Sequence, residues 1–387
     1  RAAPESVLGG AARMPPSRRF VPRTLCQCQQ AVGDLSDHGL RPCLELSEDL
    51  VAPPHEAASG SGASGGQLFR LLGNPKPGDW LREKSEPGQT FPQYEKRMGP
   101  RGCPLPSRAC NGILLCPIGD SFSSAIGQQF LPHLVQYCSA FFPGMVVDVL
   151  DRPLPFTGIK SRENDFGHGQ YLIGDIFTML NTNKTVISNR RAYCRLGITL
   201  DDIYPGDEWN YVFGQARPLE RVGVFSFARH SPLFYNGVHA TETASRLSLG
   251  QFLTWLRSCR HTMVHETCHM FGILHCVFLH CLMNGNNGPH DTNSGVSFLC
   301  PVCLRKLLHG VSPVLQGPPA DVIEARYAAL EASLQELAEQ LGEEASHSPP
   351  LARDLAWLAA RRVQLAAARA AAPPPPPPPA ASAVAGT

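Results

Sequence analysis

The chain has 387 residues, enough for two or three domains at roughly 100–200 residues each. Its net charge of +1 gives no electrostatic footing for nucleic acid or an anionic membrane surface, and no apolar run is long enough for a transmembrane helix. Fourteen cysteines could build a disulfide framework, but the length and the irregular spacing outside one cluster favour reduced cytoplasmic thiols, with the nucleus as a second compartment; Arg1 in place of Met leaves secretion open.

Residues 1–66 are rich in Pro, Ser, Gly and Ala and end in a Ser/Gly/Ala run at 59–66, which predicts a flexible region. Residues 67–110 carry aromatic and charged residues around Trp80 and Tyr94 and predict an ordered N-terminal extension. Alternation begins at Ile113. Short apolar runs at 113–118 and 145–150 predict strands, and the 122–138 segment between them has helical spacing, with Pro132 expected to kink or restart the helix. A helix at 170–181 and strands at 193–200 and 222–229 follow. The pattern predicts a mixed α/β domain over 111–310, with helices on the faces of a mixed sheet.

A long helix is expected from Ser248, and its end carries the informative motif. Residues 265–275 read HExxHxxGxxH. His265 and His269 are four apart, so one helical face presents both imidazoles to one Zn²⁺. Gly272 can take the left-handed geometry that ends the helix and turns His275 in as a third ligand. Three neutral ligands leave the metal a position for water, and Glu266 is placed to take that water's proton. Cys276, Cys281, Cys300 and Cys303 then form a Cys-x₄-Cys-x₁₈-Cys-x₂-Cys pattern with the spacing of a closed structural zinc site. Two zinc ions per chain are expected, one catalytic and one structural. His261, His280, His290 and His309 are read as outside the helical register of the metal set and receive no role.

Beyond residue 310 the composition changes. Ile323, Tyr327, Leu330, Leu334, Leu337 and Leu341 form a heptad-like stripe, and Leu351, Leu355, Leu358 and Leu365 a second. These predict a helical hairpin and a proline-rich disordered tail over 311–387, with the proline run at 373–379. Partner binding through the hairpin or the proline run is one expectation. The other is that residues 345–387, lacking site chemistry, are dispensable for activity.

The motif HExxHxxGxxHC, with Cys281-x-Met283-Asn284 and Cys300-Pro301-Val302-Cys303 after it, resembles the archaemetzincins, a branch of the metzincin zinc metalloproteases. The resemblance spans residues 70–310, most closely 190–310, and includes 209–214 and 222–229. It implies a metzincin-like catalytic domain, peptide or protein substrates, and a Met-turn methionine, Met283, supporting the ligand histidines. It also implies that Val224, Phe225, Ser226 and Phe227 lie on an edge strand above the cleft, where substrate adds as a further strand. The Ala/Pro-rich tail is closer to the first of the two vertebrate paralogues. The competing reading is an interaction module on an inactive metalloprotease core, which the hairpin favours and the intact Glu266 opposes.

Overall fold

The computed structural model describes residues 20–36, 39–54, 67–99, 102–287 and 295–371. The Ser/Gly run at 59–66 and the proline run at 373–379 lie outside the described residues. In chain order the main helices are α1 (Leu25–Val32), α2 (Ala125–Phe141), α3 (Ile173–Thr182), α4 (Leu249–Met270), α5 (Pro301–Val311), α6 (Pro319–Leu341) and α7 (Pro349–Ala371). The main strands are β1 (Gly112–Pro117), β2 (Val146–Val149), β3 (Ala192–Thr199), β4 (Gly214–Arg217) and β5 (Val222–Ser226).

These five strands make one sheet in the order β2-β1-β3-β5-β4, parallel throughout except for β4. Parallel strands are covered on both faces, which explains why β1 is an unbroken apolar run rather than an alternating one. Its side chains still alternate in what they meet. Leu114 and Cys116 pack with Ile176, Phe177 and Leu180 of α3. Ile113 and Leu115 face the larger core that holds α2 and α4. Residues 169–172 form a strand with 161–163 and 202–204 in a small second sheet, so the helix expected from 170 starts only at Ile173. Pro132 lies inside α2, which continues as one helix to Phe141. Burial of Phe130, Leu134, Tyr137 and Phe141 outweighs the lost backbone bond there.

The strand carrying Val224, Phe225, Ser226 and Phe227 is not an edge. Val222–Ser226 pairs with β3 on one side and β4 on the other, and all four side chains are buried. The edge on this side of the sheet is β4, and α4 packs against it.

Residues 20–36 and 39–54 contribute folded elements to the core. A capping box of Thr24 and Gln27 starts α1, which buries Cys28, Ala31 and Val32 in the main core. The C-terminal hairpin is also part of that core. Leu330, Leu334 and Leu337 of α6 and Leu351, Leu358 and Leu365 of α7 are buried in it. On α7, Asp354 pairs with Arg257 of α4 at 2.9 Å, and the Trp357 indole N–H donates to the Leu68 carbonyl at 3.0 Å. Helix α7 therefore ties the N-terminal segments to the helix that bears the metal motif.

Candidate metal centre

A capping box of Ser248 and Gln251 starts α4. Almost every residue from Phe252 to Met270 is buried, so this helix runs through the interior and gives its last turns a fixed frame. After the helix ends, Gly272 sits at φ +74°, a left-handed conformation that turns the chain back. Gln89, from the N-terminal extension, holds that turn at two points. Its amide donates to the Gly272 carbonyl at 3.2 Å and its oxygen accepts from the Leu274 N–H at 3.2 Å.

The turn brings His275 beside His265 and His269, with one ligand atom of each within 4.8 Å of the others. The tautomers follow from the partners. His265 Nδ1 meets the Leu282 carbonyl at 2.8 Å, His269 Nδ1 the Ile273 carbonyl at 2.6 Å, and His275 Nδ1 the Glu86 carboxylate at 2.8 Å. Carbonyl and carboxylate oxygens only accept, so each Nδ1 carries the proton and each Nε2 presents a lone pair. All three Nε2 atoms are buried without a hydrogen-bond partner. Burial, with the neighbouring His275 second, pushes His265 down to about 3, and burial takes His269 well below the usual histidine range. The three Nε2 atoms thus converge without a hydrogen-bond partner among the described residues. That donor set fits a zinc ion.

Glu266 is next to the first ligand and 1 % exposed. Met283 is fully buried, and its carbonyl accepts from the Cys276 N–H at 2.6 Å, which fastens this turn to the segment leaving His275. Trp80 lies edge-on to the His275 ring at 5.2 Å.

The four cysteines converge a few residues away. Cys276, Cys281, Cys300 and Cys303 are buried, with sulfurs within 4.8 Å of one another and Cys276 and Cys300 at 3.7 Å. Cys281 Sγ accepts N–H bonds from Met283 at 3.4 Å and Cys300 at 3.2 Å, the kind of support a thiolate ligand uses. Asn284 closes the turn: its oxygen accepts from the Cys281 N–H, and its amide donates to the carbonyls of Cys276 and Leu279. Cys300 is the N-cap residue of α5 and Cys303 lies in its first turn.

Among the curated proteins, the chain is 34 % identical to archaemetzincin-2 of Homo sapiens over 258 residues, covering 62 % of this chain and 69 % of that protein. The chain belongs to the archaemetzincin family. Archaemetzincins are zinc metallopeptidases, and this chain is one by kinship. It is 30 % identical to archaemetzincin-1 of Rattus norvegicus over 322 residues, covering 77 % of this chain and 60 % of that protein. The identities give no support to the first paralogue that the tail suggested. A solved archaemetzincin from Methanopyrus kandleri is 20 % identical, covers 54 % of this chain and 99 % of its own, and superposes loosely, with a TM-score of 0.39. No protein-family model matches the chain.

Three residues at the centre carried no signal in the sequence. Glu86, Gln89 and Trp80 come from the N-terminal extension, and no spacing links them to a motif nearly two hundred positions later. His261 did carry a signal, and the expectation that it lies out of register is corrected. It is four residues before His265, on the same face of α4, and the two rings stack at 6.2 Å. Of the ligand supports, Glu86 is the one that adds charge. Against the upward push of burial, its hydrogen bond to His275 holds its carboxyl below the usual range. Glu86→Gln is expected to weaken zinc binding about 10–100-fold without unfolding the chain. Competition for zinc against a fluorescent chelator measures this, and unchanged affinity would show that Glu86 only touches the ring.

Proposed function

We propose that this archaemetzincin hydrolyses peptide bonds at the three-histidine site, with Glu266 as general base and a second zinc held by the four cysteines. The observation that carries the reading is the convergence of three unpartnered Nε2 lone pairs, with the buried Glu266 next in the chain to the first of them. Zinc held there would lower the pKa of its water and polarise a carbonyl. His265, His269 and His275 would hold the metal through their Nε2 lone pairs. Glu266 accepts a proton at its carboxylate from the attacking water and delivers it to the departing amine. No side chain of the protein is placed as a covalent nucleophile. An unbiased peptide-library digest with zinc-loaded protein tests the activity, and a library left uncut would end the reading.

The competing reading as an interaction module drew on the proline run and on the helical hairpin. The apolar stripes of α6 and α7 are occupied inside the molecule, which removes its main support. Among the described residues no helix is long and apolar enough to cross a membrane.

Two zinc ions per chain are expected on elemental analysis of the purified protein. Cys300→Ser should retain one of them and lower the melting temperature, because the 276–303 segment depends on metal for much of its order. One zinc per wild-type chain, or a Cys300→Ser protein that melts like wild type, would remove the cysteine site from the proposal.

A further inference from the structure

His261 is 4 % exposed, and neither of its ring nitrogens has a hydrogen-bond partner. Its ring lies over that of His265, 16° from parallel, one turn before the first zinc ligand. The next residue, Thr262, meets His230 Nε2 through its hydroxyl at 2.9 Å. His230 stands on the turn after β5, stacks on Phe213 at 4.7 Å, and leaves its own Nδ1 buried and unpartnered. Among the described residues, every buried imidazole nitrogen without a partner belongs to this one group: the three ligand Nε2 atoms, both nitrogens of His261 and Nδ1 of His230. The lone pairs of the ligands are accounted for by a metal. Those of His261 and His230 are not.

A neutral imidazole always presents one N–H and one lone pair. Leaving a buried donor or acceptor unmet is costly, so such groups mark the place of a polar partner. A peptide unit has the matching pair, a carbonyl that accepts and an N–H that donates. The position suits one. Phe213 directly precedes β4, the sheet edge on this side, and its stack on His230 links that edge to Thr262 and His261 on α4.

We propose that His261, with His230 behind it, binds a main-chain amide of the peptide substrate next to the three-histidine site. The inference rests on the peptidase reading above. His261 is a positioning residue: it holds the substrate backbone and takes no proton in the reaction.

Two zinc-directed probes separate this role from metal binding. Acetohydroxamate reaches only the metal, whereas a tripeptide hydroxamate also places backbone amides alongside it. In zinc-loaded protein His261→Leu should bind acetohydroxamate as wild type does and lose about tenfold in affinity for the tripeptide hydroxamate, the worth of one hydrogen bond. His261→Gln, which keeps a donor and an acceptor, should recover most of that loss. In ¹⁵N-histidine spectra of the wild type, the His261 ring signals should move with the tripeptide probe and not with acetohydroxamate, a result that needs no variant to fold. The proposal is overturned if His261→Leu binds both probes like wild type, if it loses both equally, or if the His261 signals stay fixed on tripeptide binding. A wild type that binds neither probe would instead strike the zinc-site reading, and this inference with it.

Discussion

Glu266→Gln should fold, keep its zinc and lose about 10²–10⁴-fold in peptide turnover, the usual worth of a positioned general base. The metal is expected to stay because Glu266 is not among the converging ligand atoms of His265, His269 and His275. One residue along a helix is about 100° around it, so Glu266 cannot share the ligand face of His265. The change is nearly isosteric. Glutamine fills the same buried space, keeps an acceptor oxygen, and lacks only the capacity to take a proton. Zinc content, melting temperature and turnover of one library-selected peptide, measured side by side with wild type, decide the matter. Equal turnover would rule out Glu266 as the base. Loss of zinc in the variant would give the carboxylate a structural role and leave its catalytic one without support.

The parts legible in the sequence were those whose cause is local. The spacing of His265, His269 and Gly272 needs only one helix and one turn, and the structure brings them together with His275. The apolar run of β1 and the start of α4 at Ser248 were equally local. The supports of the site were not. Glu86 reaches His275 across 189 positions, and its carboxylate looks like any other until the chain has folded. The misplaced edge strand is a different case. Residues 214–217 were not read as a strand, yet they form a hairpin with 222–226 across a short turn, and that antiparallel pairing makes 222–226 interior. At the N-terminus the Pro/Ser/Gly composition hid Cys28, Val32, Leu44 and Leu46, which are buried only because α5 and α7 arrive to cover them. His261 was a different failure. Its four-residue offset from His265 was local and readable, and it was misread as lying outside the helical register of the metal set.

Truncation before α7 is expected to destroy the fold, in contrast to the dispensable tail that the sequence suggested. Ending the chain at Ser348 removes Leu351, Leu358 and Leu365 from the core, each worth about 2–5 kcal/mol when a buried leucine is lost. It also removes Asp354 from the buried pair with Arg257, whose side chains are 7 % and 4 % exposed, and breaking such a pair costs about 3–5 kcal/mol. These losses together reach the whole stability of a typical domain, roughly 5–15 kcal/mol. The damage is also placed where it reaches the metal. Arg257 is two turns before His265 on α4, and its guanidinium donates to the Gly295 carbonyl at 2.8 Å. Asp354 in turn accepts from the Ser297 hydroxyl at 2.9 Å, so the pair holds the chain entering Cys300 against the catalytic helix. The truncated chain should show no cooperative melting and should bind zinc substoichiometrically. Ending the chain at Ala371 instead keeps α7 whole and should preserve both properties. Asp354→Asn, which keeps the shape and removes the charge, should fall between, with a lower melting temperature and near-normal zinc. A chain ending at Ser348 that melts like the full protein and holds its zinc would show that α7 only covers a core already stable without it.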